Sequence, residues 1–241
     1  MNTNRSTEYA GSNAVNSSCF SPESMDKLKS IMYELKVEAG SCVYWEGDLA
    51  DKLYYIKKGK VKCTKTNEDG KEFVLYLFRE GDFMGQLDPY SDSRQSFTAN
   101  ATESCLIGVI QKSDLEALLW QQGDLALEFM KWMGLMHRTT QTKFRDLMLY
   151  GKPGALCSTM IRLANTFGKM TPEGILITEK MTNTDLADYI GAARESVNRM
   201  LGDWKREGII DQRDGHLLIK NLAHLQDLCH CELCPKDICR L

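Results

Sequence analysis

The chain reads as an α+β protein: a β-rich first half, one long helix, two short helices with a hairpin, and a cysteine-bearing C-terminal extension. Three observations predict that order. From about Ile31 to Ile110, short alternating runs are separated by glycines at 40, 47, 59, 70 and 81, the spacing of an antiparallel β-roll or barrel. After Ser113 the apolar period becomes helical. Four of the nine cysteines, Cys229, Cys231, Cys234 and Cys239, crowd onto a polar C-terminal tail where they cannot all be core.

Composition bounds the rest. The 241 residues, 43% hydrophobic and 26% charged, suffice for one large or two modest globular domains. A formal charge of −3 leaves no global basic footprint, so any nucleic-acid contact must come from a local patch. No apolar run approaches a membrane span, and the start lacks the basic-then-apolar order of a signal peptide. A cytoplasmic protein without membrane contact is expected, and reducing conditions there disfavour disulfides. Residues 1–19, rich in Asn, Ser and Thr, read as a disordered tail.

The β-roll is expected over 20–118, with strands such as Ser41–Trp45, Lys52–Ile56, Lys60–Thr64, Phe73–Phe78 and Leu106–Ile110. Ser113, with Glu116 three residues on, reads as the N-cap of the first helix after it. A long helix follows over 119–150. Phe129, Met133, Met136, Phe144 and Leu147, with Thr140 filling a gap, approximate a heptad seam. From Asp124 to Leu149 it would span about 39 Å, which overhangs one small sheet and predicts a dimerisation helix and a homodimer. Gly151-Lys-Pro-Gly154 stops it.

A second domain is expected over 151–222: a helix to Phe167, a strand Ile175–Thr178, two short helices, and a hairpin over 209–219 turning at Asp214-Gly215. The first short helix begins at Thr182, capped with Asp185; Gly191-Ala192 makes the turn. The second, from Ala193, buries Val197, Leu201 and Trp204 and presents Arg194, Glu195, Asn198 and Arg199 on its opposite face. Guanidinium, carboxylate and carboxamide near the N-terminus of a second helix can read base edges in a major groove. The plain alternative is a solvated face whose charges pair among themselves.

A β-roll, a long helix and a winged helix-turn-helix containing Arg194-Glu195-Ser-Val-Asn-Arg199 together resemble the Crp/Fnr transcription regulators, over about residues 20–222. The resemblance implies a cyclic-nucleotide-binding-like β-roll, a homodimer on double-stranded DNA, RNA polymerase as partner, and a palindrome of TGTGA-type half-sites read by Arg194, Glu195 and Arg199. Ala193 departs from the pattern by offering no capping oxygen. The family's nucleotide binders place Gly-Glu-Leu and Arg-Ser-Ala around the ligand. Here Gly85-Gln86-Leu87 and Gln95-Ser96-Phe97 stand instead, with Arg94 displaced by one residue and therefore turned to the other face. No cyclic nucleotide is expected, and the signal must enter elsewhere.

The C-terminal extension, 223–241, is the remaining input. Cys231-x-x-Cys234-x-x-x-x-Cys239, with Cys229 two residues earlier, has thiolates enough for a structural zinc site of four cysteines or an iron–sulfur cluster, and His230 could serve zinc. This extension is similar to that of the Bacillus-type Fnr regulators. That resemblance implies one [4Fe–4S] cluster per subunit on Cys231, Cys234, Cys239 and an aspartate of the long-helix region, which falls on Asp146. Thiolate chemistry would favour Cys229 as fourth ligand, but its closeness to Cys231 would strain both on one cluster. The function implied is an oxygen-sensing activator of anaerobic respiration genes; a Crp-type regulator with a structural zinc site and a different effector or none is the alternative. Cys42, Cys63, Cys105 and Cys157 read as ordinary buried thiols. The histidines 137, 216, 224 and 230 are scattered, and with no nucleophile constellation or glycine-rich phosphate loop, no enzyme is expected.

Overall fold

A computed structural model describes residues 14–87 and 92–241, in two compact units, Val15–Arg138 and Thr139–Leu241. The first unit opens with a 3-10 turn, Asn16–Cys19, and helix α1, Pro22–Ser30, capped by Ser21, whose hydroxyl accepts from the Ser24 amide. The disordered tail expected over 1–19 lies outside the described residues up to 13, and its end is corrected. Asn16 is buried; its side chain donates to the Phe83 carbonyl at 2.8 Å and accepts from the Phe83 amide at 2.7 Å, like an added strand residue. Three long-range bonds outweigh the polar composition that argued for disorder, the third running from its amide to Asp82.

Among the described residues, eight strands then form two four-stranded antiparallel sheets. Strands β1 (Tyr33–Val37), β8 (Cys105–Gln111), β3 (Lys52–Lys58) and β6 (Phe83–Met84) make one, in that order. Strands β2 (Cys42–Tyr44), β7 (Thr98–Ala101), β4 (Lys60–Thr66) and β5 (Glu72–Arg79) make the other. Tyr54 and Ile56 of β3, and Val61 and Cys63 of β4, alternate so that one face of each sheet turns inward, while Leu53 of β3 points to the opposite face and packs with Leu28 and Leu125. Gly59 makes the turn between them at φ +99°, and a Cβ there would meet Cys105 Sγ at 2.5 Å.

Helix α2 runs Lys112–Gln121 with Gln111 at its N-cap. Ser113 therefore lies inside the first turn, and the expected cap is corrected to Gln111. Helix α3 runs Gly123–Phe167, interrupted at Gly151 (φ 59°, ψ −162°), which breaks the helix where Gly151-Lys-Pro-Gly154 predicted. Leu125, Phe129 and Trp132 of α3 pack with Leu28, Leu53, Phe83, Ile110 and Leu115 in one core cluster of the first unit. The expected seam is corrected at Phe129 and Met136 only; Met133 and Phe144, which also belong to it, remain exposed. Phe129 is 7% exposed against its own β-roll and Met136 packs on that core, whereas Leu127, Met130 and Met133 are exposed in this unit, and Phe144, Met148 and Leu149 in the other.

The second unit adds the sheet β11 (Ile210–Arg213), β12 (His216–Ile219), β10 (Gly174–Ile177), β9 (Gly168–Thr171), in that order. Strand β9 was not foreseen. Helix α4, Asn183–Tyr189, begins with both bonds of the Thr182–Asp185 capping box. Helix α5, Arg194–Arg206, buries Val197, Leu201 and Trp204. The hairpin turns at Asp214 (φ 51°) and Gly215 (φ 83°), both left-handed as a two-residue turn requires. A last helix, α6, spans Leu222–Leu228. Among the described residues, no helix is long and apolar enough to cross a membrane.

Candidate functional site

Two surfaces carry the chemistry of the second unit. On α5, Arg194, Glu195, Asn198 and Arg199 are all exposed, within the first two turns of the helix, above the buried Val197–Leu201–Trp204 stripe. Among the described residues, Arg194, Glu195 and Arg199 form no ion pair with one another, and all three stand in solvent. Asn198 Oδ1 accepts from Asn183 of α4, which ties the two helices together on the outer face. The hairpin beside them is braced by Arg213, which donates to Glu173 through both terminal nitrogens, one bond at 2.9 Å.

The other surface is the tail. It folds back on the stretch from Thr139 to Thr166, and Arg162 is the centre of that contact. Its Nε donates to Ser158 Oγ at 3.2 Å, Nη2 to Thr142 Oγ1 and to Asp146 Oδ2, each at 3.1 Å, and Nη1 to the Ile238 carbonyl at 3.2 Å. Asn165 donates to the Cys239 carbonyl at 2.7 Å, and the Leu241 amide donates to Thr166 Oγ1 at 3.2 Å. Tyr150 stacks on His230 at 4.9 Å between centroids, and Arg145 pairs with Glu232. Ile238, Arg240 and Leu241 end up buried.

Asp146 is 2% exposed. Its carboxylate accepts from Ser158, from Arg162, and from Arg145 Nη2 at 2.6 Å. Cys231, Cys234 and Cys239 are half-buried in the docked tail, while Cys229 is buried, its thiol 3.7 Å from the Gln226 carbonyl. The Cys229 thiol hydrogen-bonds Cys231, which pulls Cys231 below an ordinary thiol and pushes Cys229 up. Burial raises Cys239, although Arg162 opposes it. Burial, with Arg162 and Arg240 nearby, pushes the Lys143 ammonium well down, the mark of a pocket rich in cations.

That setting suits an anionic metal group. Three thiols and a carboxylate are the donor types such a group takes, and Arg145, Arg162 and Arg240 supply compensating charge. Among the described residues, no three His, Cys, Asp or Glu side chains are drawn together to metal-ligating distance. Donor identity and charge therefore fit, with Asp146 held by guanidinium and hydroxyl partners. His230, stacked on Tyr150, is engaged as an aromatic surface.

Sequence reasoning missed Arg162. A lone guanidinium in the apolar run Met160-Ile-Arg-Leu-Ala164 was the available signal, since a buried arginine needs a carboxylate or several carbonyl partners.

In the first unit, Gln86 is bonded to backbone groups on both sides of its amide. Its Nε2 donates to the Arg94 carbonyl and its Oε1 accepts from the Ser96 amide, each at 3.0 Å. Arg94 is exposed and its guanidinium donates to the Gly47 carbonyl at 3.2 Å. Phe97 lines the cavity, as does the buried Gln95. Cys63, Cys105 and Cys157 are buried thiols, and Cys42 is half-buried.

A β-roll followed by a long helix and a winged helix-turn-helix defines a DNA-binding regulator. Residues 34–122 match the cyclic nucleotide-binding domain and residues 154–228 the Crp-like helix-turn-helix domain. The chain is 40% identical over 230 residues to the Anaerobic regulatory protein of Bacillus subtilis, covering 91% of this chain and 97% of that one. It is 24% identical to a CRP-like cAMP-activated global transcriptional regulator of Mycobacterium tuberculosis, over 85% of this chain and 91% of that one. Its fold is similar to that of a CooA variant from Carboxydothermus hydrogenoformans, with a TM-score of 0.75 at 18% identity, covering 92% of this chain and 99% of that one. The c-di-GMP responsive regulator CLP of Xanthomonas campestris aligns with a TM-score of 0.70 at 19% identity, over 83% and 99%. This chain belongs to the Crp/Fnr family of DNA-binding transcription regulators, proteins that act as dimers and are not in general enzymes.

Proposed function

We propose that the chain is a cytoplasmic, homodimeric regulator of anaerobic respiration genes, mainly an activator working with RNA polymerase, whose DNA binding is governed by a [4Fe–4S] cluster on Cys231, Cys234, Cys239 and Asp146. The observation that carries this reading is the docking of the cysteine tail onto Asp146 through Arg162. The relative named for anaerobic regulation supports the physiological side. When bound, the cluster supplies an oxygen-labile redox centre.

The chain's own residues do the rest. Arg162 joins Thr142 and Asp146 of α3 to Ser158, beyond the Gly151 break, and to Ile238 in the tail. A change in how Asp146 is held is thereby felt in three segments at once. Arg145 and Glu232 bind the start of the tail, and Asn165 and Thr166 bind its end. On α5, Arg194 donates to a guanine and Glu195 accepts from a cytosine of a TGTGA-type half-site, with Arg199 and Asn198 completing the reading. The exposed Leu127, Met130 and Met133 of the first unit form an apolar face offered to the second subunit.

The test is metal content after anaerobic purification. About four irons per chain, with a broad visible absorption that bleaches in air, is the expected result. Zinc without iron would overturn the reading in favour of a structural zinc site of four cysteines. In Asp146→Ala the iron should fall or become faster to lose, whereas unchanged iron and unchanged air sensitivity would move the fourth ligand to Cys229.

A further inference from the structure

One side chain on the reading face of α5 is engaged before any DNA arrives. Among the described residues, Arg194, Glu195 and Arg199 make no hydrogen bond or ion pair through their side chains, whereas Asn198 Oδ1 accepts from Asn183 Nδ2. Both ends of that bond are placed by their own helices. Asn183 is the first residue of α4, directly after Thr182, whose capping box with Asp185 fixes the backbone there. Leu186 and Ala187 of the same helix are buried. Asn198 follows the buried Val197 of α5. The turn between the two helices is set by Gly191 (φ 56°) and by the Ala192 amide, which donates to the Ala187 carbonyl at 2.9 Å.

A primary amide has one accepting end and one donating end. A free asparagine matches adenine by using both, accepting from N6 and donating to N7. With Oδ1 turned to α4, Asn198 cannot do this. The atom left for a groove is Nδ2, which only donates. Glu195, three residues earlier, accepts when ionised, and the guanidinium groups of Arg194 and Arg199 always donate. Asn198 is therefore the one reader of the four whose sign is open, and its neighbour on α4 sets it.

We propose that Asn183 is a positioning residue for DNA reading. By holding the Asn198 oxygen it turns the amide nitrogen outward, so that position 198 selects a base edge presenting an acceptor (guanine O6 or N7, or thymine O4) and forgoes the paired contact to adenine. Asn183 acts through Asn198 and not by a DNA contact of its own. An amide already held in one orientation also loses less freedom on binding. The inference rests on the reading that α5 enters a major groove.

The test uses full-length protein purified anaerobically and a panel of operators. Asn198→Ala first locates the base pair that Asn198 reads, as the one position in each half-site where preference among pairs is lost. That pair is then rebuilt, one strand at a time, with analogues. A 7-deazapurine, 2-aminopurine for guanine or a 2-pyrimidinone for thymine deletes a major-groove acceptor; purine for adenine or a 2-pyrimidinone for cytosine deletes an exocyclic amine. In the wild type, deleting the acceptor should weaken binding about tenfold, the worth of one good hydrogen bond, and deleting the amine should change it by less than about twofold. In Asn183→Ala the amide turns freely, and the cost of acceptor deletion should shrink to within about threefold. In Asn183→Asp the group on α4 is an acceptor, so the Asn198 amide turns over. The preferred pair should then change, and on it the amine deletion should be the costly one. The added carboxylate weakens binding to every operator alike, so ratios between operators are compared. Thermal unfolding should be unchanged in all three variants. A wild type sensitive to the amine and not to the acceptor would overturn the proposal. So would an analogue pattern that both Asn183 variants leave intact, or an Asn198→Ala loss that is absent or spread evenly over all operators. Arg194→Ala separates the two readings. If it alters one base pair while the Asn183 variants alter none, α5 still reads the groove and the proposal alone falls; if it too alters none, the groove reading falls with it.

Discussion

The two parts of α3 before the Gly151 break bury opposite kinds of side chain. Up to Arg138, the buried positions are Leu125, Phe129 and Trp132, set in an aromatic core with Phe20 and Phe83. From Thr139 on, they are Thr139, Thr142 and Asp146, bonded to Arg162 or to one another. An apolar interface is non-directional and tolerates small shifts, while a buried ionic one holds a single geometry and fails when one partner leaves. The first part is built as a fixed wall of the β-roll, and the second as a latch on the tail.

The largest expected effects break each part separately. Phe129→Ala should cost about 3–5 kcal/mol through the cavity it leaves in the first unit, read by denaturant unfolding. Arg162→Met should cost a similar amount, about 3–5 kcal/mol, because the buried Asp146 loses one of its two guanidinium partners while Ser158, Thr142 and the Ile238 carbonyl lose their bonds to Arg162 as well. The two then diverge. Asp146→Leu combined with Arg162→Met should be less destabilised than Arg162→Met alone, since the stranded charge is gone, and limited proteolysis should still find the tail released. A double variant at least as unstable as the single one would mean that the pair is not the source of the cost.

A second contrast sets the latch against the reading face it serves. Arg194→Ala should weaken operator binding by about 1–3 kcal/mol, with the loss concentrated at one base pair of each half-site. It should leave unfolding and tail proteolysis unchanged, because Arg194 is exposed and α5 is held by Val197, Leu201 and Trp204. A uniform loss across all sequences would make Arg194 a phosphate contact instead.

What the sequence made legible follows the same divide. Period-two and period-3.6 patterns report apolar burial, and they gave the β-roll, the helix break at Gly151 and the buried stripe of α5. The tail's donors were visible as a cysteine cluster, and Asp146 entered through family resemblance. The latch itself was not legible, because Arg162, Thr142 and Ser158 each look ordinary until the fold brings distant parts of the chain together. The seam was legible only in part: Met133 and Phe144 stay exposed, while Phe129 is buried against its own β-roll. Phe129 and Met136 do recur at helical spacing, but spacing alone cannot say whether a stripe faces its own sheet or another subunit.

A smaller effect tests the latch without breaking it. Thr142 Oγ1 accepts from Arg162 Nη2 and donates to the Thr139 carbonyl at 2.9 Å, both buried. Thr142→Val keeps the shape and removes the hydroxyl, so it should cost about 1–2 kcal/mol, well under Arg162→Met. Equal costs would place the latch's strength in the threonine pair and not in the ion pair.

The finest distinction between the two units is in their thiols. Cys231 is lowered by the hydrogen bond from Cys229, whereas Cys63, in the first unit, is raised to about 12 by burial. A thiol reacts as thiolate, so alkylation of Cys231 in metal-free protein should rise through a midpoint below the ordinary value of about 8.5 as pH increases. Cys63 should stay unmodified throughout that range. Cys229→Ala removes the donor that stabilises the thiolate, so the Cys231 midpoint should move up toward the ordinary value while Cys63 is unaffected. Residue-resolved mass spectrometry across the pH series reads both at once. A Cys231 midpoint that ignores the Cys229 substitution would mean that the nearby Arg145 guanidinium, and not the neighbouring thiol, sets its reactivity.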